Sequence, residues 1–352
     1  MPRAPTPDAR VSNGALVCRT RSSSALTDGL LVGRHAENKR HSGPKLGFAT
    51  PANFRFGTLV SNLQLPGAGP RDCPGPHPAP RGPSTFTVPP GAVDAHAHVI
   101  GPPPYVAGRS YTAPPAPPET YMAMLGATGM AYGVLVQVSV HGTDNSLMAD
   151  TLRAHPARLR GIAVAPPDWP ARDYQALRDA GVVGLRLNTL YGGGMGMAAL
   201  DRTGALCRDM GWHLQLLLDA RDLPGLVPRL ARVPVPVVVD HMGHFPAALG
   251  VQSPGFQALL SLVRDGGWVK LSGAYRLADA PWADTVALAQ ALHAAAPDRC
   301  VWGSDWPHVA HWGGMMNPGD LLDLLAAWLP DPAARQAVLV DNPARLYGFG
   351  QG

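Results

Sequence analysis

The chain has 352 residues and is 46% hydrophobic, a normal globular fraction that can supply one large core. No run of 18 or more apolar residues occurs, which excludes a membrane-spanning helix. The net charge of +4 is unevenly spread: residues 1–90 hold eleven Lys and Arg against four Asp and Glu, and the rest is mildly acidic, so the chain does not read as a nucleic-acid binder.

Cys18, Cys73, Cys207 and Cys300 are too few for a disulfide scaffold, and none has metal-type spacing with another Cys or a His. A reducing, cytoplasmic setting is the expectation, and the N-terminus lacks the apolar core of a signal peptide.

In chain order, residues 1–90 are rich in Pro, Gly, Ser and Arg without a sustained period, and 66–90 are Pro-dense; they read as a disordered leader. From residue 91 to 352 the texture changes to a single domain of short β-branched runs alternating with helical windows. The strand candidates are 93–99 (VDAHAHV), 133–139, 159–165, 183–188, 213–219, 235–241, 268–273 and 300–306. Helical windows fall at 171–180, 203–210, 256–264, 282–295, 321–329 and 332–340, with Asp341 or Asn342 as the cap of a last helix begun by Pro343. Eight such units in about 260 residues predict an α/β fold, a closed (β/α)₈ TIM barrel. An open doubly wound sheet is the alternative, but no Gly-rich phosphate loop follows the first strand.

Reactive side chains collect at the strand ends. In a parallel barrel all C-terminal strand ends point to one mouth. His96 and His98 lie two apart on the first strand and so face the same side. His241 ends the sixth strand and Asp305 the eighth. Such a set either holds a divalent metal such as Zn or Mn through His96, His98, His241 and Asp305, or uses imidazoles to polarise a carbonyl. In both versions Asp305 takes the proton from water. A mononuclear metal site usually adds a ligand from the fifth strand, which here ends in Leu217, Leu218 and Asp219; His213 starts that strand and faces the opposite end.

Arg186 and Arg276 are candidates to clamp a substrate carboxylate. Tyr111, Ser139, His141 and His244 are further substrate-binding candidates in or beside the mouth loops. Trp302, Trp306 and Pro307 read as packing.

Read together, VDAHAHV, VQVSVHGTDN, GLRLN, VVVDHMGH, VWGSDWPH and DNPARLYGF resemble the amidohydrolase superfamily, specifically the group around the 2-pyrone-4,6-dicarboxylate lactonases and sugar lactonases. The resemblance spans residues 92–349 and implies lactone hydrolysis with no obligatory metal. By it, His96, His98 and His241 surround the lactone carbonyl, Asp305 activates water, and Tyr111, Ser139, Arg186 and Arg276 hold the substrate. Three departures stand out: a run of glycines at 192–194 where the pyrone enzymes have a second arginine, Leu217 for a tyrosine, and His244 for an arginine. They point to a lactone with fewer or differently placed negative charges. A metal-dependent decarboxylase of an unsaturated or aromatic acid, and a non-catalytic binding barrel, are the alternative readings. The expected partner is a small anionic lactone, with neither nucleic acid nor membrane; homo-oligomerisation stays open.

Overall fold

The computed structural model describes residues 69–350. Eight parallel strands follow the chain: β1 (Val93–Ala97), β2 (Tyr132–Val136), β3 (Leu159–Ala163), β4 (Val182–Asn188), β5 (His213–Leu217), β6 (Val237–Val239), β7 (Trp268–Leu271) and β8 (Cys300–Trp302). Each pairs with its sequence neighbour in unbroken order. Closure between β8 and β1 is looser: a single parallel bridge joins Ala97 to Trp306, supported by Asp305 N–H to His96 O at 2.8 Å and His98 N–H to Trp306 O at 2.8 Å. The closing seam therefore runs through three of the predicted site residues, His96, His98 and Asp305. This is the expected TIM barrel.

A helix follows every strand: α1 (Pro118–Thr128), α2 (Ser146–Ala154), α3 (Ala171–Ala180), α4 (Leu200–Met210), α5 (Leu223–Leu230), α6 (Pro254–Arg264), α7 (Thr285–Ala295) and α8 (Pro318–Trp328). Their ends follow ordinary rules. Pro opens α1, α6 and α8, where a missing N–H costs nothing, and Gly129, Gly181 and Gly211 stop α1, α3 and α4 in the left-handed region. The final helix, Asn342–Tyr347, is not capped by a side chain as expected. Asn342 instead donates to the carbonyls of Pro297 and Cys300, both at 2.8 Å, tying the C-terminal helix to the start of β8.

One large apolar cluster lies between strands and helices; a smaller one, including Val93, Val134, Ile162, Val238 and Val301, fills the lower barrel and is closed by Tyr347 and Phe349. Each such side chain fully removed from water contributes roughly 1.5–3 kcal/mol. Above this plug the interior turns polar: Arg186, Gln215, Asp240 and Lys270 are all buried. Buried charge is costly unless paired, and here it is paired around Asp240.

The expected leader boundary at residue 90 needs correction. Residues 1–68 lie outside the described residues, but 69–90 are packed on the barrel rather than disordered. Arg71–Asp72 forms a short parallel ladder with Tyr111–Thr112. The Asp323 carboxylate on α8 accepts from the backbone N–H and hydroxyl of both Ser84 and Thr85, at 2.7–2.9 Å. Arg81 pairs with Asp320.

Candidate active site

At the C-terminal mouth of the barrel, His98, Tyr111, Ser139, Arg186, Tyr191, Leu217, His241, His244, Arg276, Asp305 and Val309 line one pocket of about 270 Å³, counting the solvent at its opening. His96 sits at its base, fully buried. Nine of the ten predicted site residues thus converge. The exception is His141: its ring stacks on Tyr105 at 5.9 Å and does not line the pocket.

Asp305 is the centre. Its Oδ1 faces three imidazole nitrogens, the Nε2 atoms of His98 at 3.6 Å, His241 at 3.7 Å and His96 at 3.8 Å. Those separations exceed a hydrogen bond, and Oδ1 has no direct partner. Its Oδ2 is anchored instead: Tyr275 donates at 2.6 Å and Arg276 Nε at 2.8 Å. Burial alone would raise the carboxyl, but Arg276 foremost, then the imidazoles, holds it well below the usual carboxylate range. Asp305 is therefore ionised, with one oxygen fixed and one presented.

His96 and His241 are neutral. Burial pushes His96 down to about 3 and His241 well below its ordinary value. His98 Nδ1 lies 2.7 Å from Val136 O, which can only accept, so Nδ1 carries a proton and Nε2 is the nitrogen that offers a lone pair in the neutral ring. His241 Nδ1 shares a hydrogen bond with Ser272 Oγ at 2.9 Å. Asp305 and His241 both have positive φ, 59° and 51°. Holding non-glycine residues there costs on the order of 1–3 kcal/mol each, a pattern that clusters at functional sites.

His96, His241 and Asp305 lie close enough together to share a metal ion. Proximity is met, and the tautomer of His96 decides the rest. A divalent ion needs a lone pair on His96 Nε2. His96 Nδ1 lies 3.2 Å from both Lys270 Nζ and Asp240 Oδ1, and a proton given by Lys270 to that atom would leave the ring proton on Nε2, where an ion would need the lone pair. The donor set as hydrogen-bonded fits an ion poorly.

Two cations differ from expectation. Arg276 is spent on the protein: Nε on Asp305, Nη2 on Val309 O at 2.9 Å and Nη1 on Tyr191 Oη at 3.3 Å. Arg186 keeps a freer guanidinium at the pocket wall, with Nε 3.2 Å from Asp240 Oδ2. His244 is held down to about 3, by burial and then by Arg276, and adds no charge. Nor can the glycine run supply one. A Cβ on Gly192 would lie 2.0 Å from Gly108 O, and on Gly193 2.2 Å from Ser139 O, so the loop is pressed backbone to backbone. Tyr111 and Ser139 share a hydrogen bond at 2.9 Å on the opposite wall.

Sequence reasoning passed over Tyr275, Tyr191 and the buried group Gln215, Asp240 and Lys270. A polar residue inside each of the apolar runs HLQLLLD and WVKLSG was the available signal. As expected, His213 faces the far end, 5.5 Å from Tyr347.

The family profile described as amidohydrolase matches residues 93–349. The chain belongs to the amidohydrolase family. This amidohydrolase is 38% identical to 4-sulfomuconolactone hydrolase of Rhizobium radiobacter over 292 residues, 80% of this chain and 97% of the relative. It is 34% identical to 2-pyrone-4,6-dicarboxylate hydrolase of Comamonas testosteroni over 280 residues, 74% of this chain and 92% of the relative. Among solved structures, a probable 2-pyrone-4,6-dicarboxylic acid hydrolase of Acinetobacter baumannii with citric acid bound superposes with a TM-score of 0.67 at 29% identity, covering 74% of this chain and all of that one. No helix among the described residues is long and apolar enough to cross a membrane.

Proposed function

We propose that this amidohydrolase opens the ring of a small lactone carrying one acidic group, by attack of water and without a metal. The observation that carries the reading is the division of labour at Asp305: Oδ2 tied to Tyr275 and Arg276, Oδ1 left without a partner among the described residues and facing three imidazole nitrogens at 3.6–3.8 Å. The kinship to two lactone hydrolases gives the bond class.

A water in the pocket, off the line joining Asp305 Oδ1 to His98 Nε2, directs one proton at Asp305 Oδ1 and one at the lone pair of a neutral His98 Nε2, and its oxygen at the lactone carbonyl carbon. As the C–O bond forms, Asp305 takes one proton. The carbonyl oxygen gains the negative charge, and the His96 Nε2–H faces it from the base of the pocket. Collapse re-forms the carbonyl and breaks the ring C–O bond; the proton on Asp305 passes to the leaving oxygen. The product carries one more carboxyl and one more hydroxyl than the lactone had. Asp305 is a weak base because of Arg276, so its proton transfer completes only as charge develops on the carbonyl oxygen. Of the two cations among the described pocket residues, Arg186 has fewer donors committed to the protein than Arg276, and it meets the substrate's acidic group.

A panel of mono- and diacidic lactones, each with and without EDTA, tests the reading. Ring opening of a monoacid lactone at full rate in EDTA, reduced about 10³-fold in Asp305→Asn, is the expected result. Carbon dioxide release dependent on bound zinc would replace it with a decarboxylase.

A further inference from the structure

We propose that Lys270 is a positioning residue that fixes which nitrogen of His96 bears the proton, making His96 a standing hydrogen-bond donor to the reacting oxygen. The consequence for turnover rests on the lactone reading above; the tautomer itself does not.

Three acceptors stand in hydrogen-bonding geometry around Lys270. Its Nζ lies 2.9 Å from Ala95 O, 2.7 Å from Gln215 Oε1 and 3.2 Å from His96 Nδ1, and the geometry of all three is that of a hydrogen bond. A backbone carbonyl can only accept. The Gln215 amide is fixed too, because its Nε2 donates to Asp240 Oδ2 at 3.0 Å, which leaves Oε1 as the acceptor toward Lys270. An ammonium has three protons, and three acceptors take them.

One competitor exists. Asp240 Oδ1 lies 3.2 Å from His96 Nδ1 and 3.3 Å from Lys270 Nζ. Were His96 to donate to it, the proton would move to Nδ1 and the lone pair would turn into the pocket. Asp240 Oδ1, however, meets the geometry of a hydrogen bond with no partner among the described residues. Arg186 approaches the other oxygen of the same carboxylate. Asp240 thus acts as the counter-charge that keeps an ammonium inside the barrel, and Lys270 makes the directional contact.

A neutral imidazole with Nδ1 accepting must carry its proton on Nε2. That atom is buried, has no partner, and points toward Asp305 Oδ1 at 3.8 Å. His98, two residues on, is locked the opposite way by Val136 O. The pair on the first strand therefore offers one donor and one acceptor, the polarity needed to hold an oxyanion and a water side by side. Lys270 sits on β7 behind His96, touches no pocket atom, and acts only through it.

The decisive measurement is the long-range ¹⁵N–¹H spectrum of full-length protein labelled in its 13 histidines, with the His96 signals identified by their loss in His96→Asn. Protonated Nε2 with bare Nδ1 near pH 7 is expected; the reverse tautomer overturns the proposal, whatever substrate the protein has. Kinetics then separate positioning from bulk structure. Lys270→Met should lower kcat about 10²-fold with KM within about twofold, the cost of one lost oxyanion donor. Lys270→Gln, a neutral side chain that still donates, should recover about tenfold of that loss. Equal losses in the two variants would mean that Lys270 serves only to fill and charge the interior. Should Lys270→Met fail to fold, the wild-type spectrum still decides.

Discussion

Tyr275 donates its phenolic proton to Asp305 Oδ2 at 2.6 Å, on the same oxygen that Arg276 grips at 2.8 Å. Two donors on one oxygen fix the carboxylate plane and leave Oδ1 turned toward the imidazoles. Tyr275→Phe removes one of them and keeps the charge pair. The expected outcome is a kcat about tenfold lower with KM unchanged, the loss of one charge-assisted hydrogen bond worth roughly 1.5 kcal/mol. A raised KM with intact kcat would mean that Tyr275 contacts substrate instead.

Arg186 and Arg276 look equivalent in sequence, yet the structure gives them different work. Arg276 belongs to Asp305; Arg186 is open to the pocket. Arg186→Met should raise KM for an acidic lactone by about tenfold or more, since hydrogen bonds to charged groups contribute roughly 1.5–3 kcal/mol. A neutral lactone of the same ring should lose far less in kcat/KM. Parallel loss on both substrates would place Arg186 in support of Asp240 alone.

That asymmetry shows where the sequence was legible. Strand positions could be read because buried parallel strands are continuous apolar runs, and every barrel strand overlaps its expected run, while the short pair Arg71–Asp72 and Tyr111–Thr112 went unread. His96, His98, His241 and Asp305 could be placed because strand ends share one mouth. Helices α1, α2 and α5 went unnoticed for local reasons: α5 contains Pro224 and Pro228, α1 begins at Pro118 and carries Gly126, and α2 is only nine residues long. Contacts between loops were beyond periodicity altogether. Nothing local tells that Arg276 turns back onto Asp305, 29 residues away, or that Asp240 gathers Lys270 and Arg186. The leader boundary failed likewise, because Pro-rich composition says a segment is irregular, not that it is unpacked.

The segment 69–90 gives its own prediction. Asp323 accepts four hydrogen bonds from Ser84 and Thr85, and Cys73 is buried with its sulfur accepting from Ala310 N–H at 3.2 Å, one residue from the pocket-lining Val309. Asp323→Ala leaves those donors to water and should lower stability by about 1–3 kcal/mol in urea unfolding. Deleting 69–90 should in addition raise KM, because Tyr111 loses its ladder partner Arg71 at the pocket wall. An unchanged KM in the deletion would show that the strap is merely attached.

Acid should unfold this barrel well before its carboxylates would. Burial holds His96, His213 and His244 down to about 3 in the folded chain, whereas unfolded imidazoles titrate near 6.5. Between those values the unfolded chain binds protons that the folded chain refuses, so stability rises with pH and is lost as pH falls below about 6.5. Each group contributes up to about 1.4 kcal/mol per pH unit. Asp94 works the other way: burial raises it to about 6, so from there down to about 4 the folded chain holds its proton more tightly. Burial lowers His241 and His308 as well, so five imidazoles against one carboxyl leave about four protons net taken up on unfolding. Urea midpoints at pH 7.5, 6 and 5 and constant ionic strength should therefore drop steeply below 6.5. His213→Asn, at the far end from the pocket, should flatten that slope by about one proton and leave the pH profile of kcat alone; equal stability at pH 7.5 and pH 5 would rule out neutral buried imidazoles as the cause.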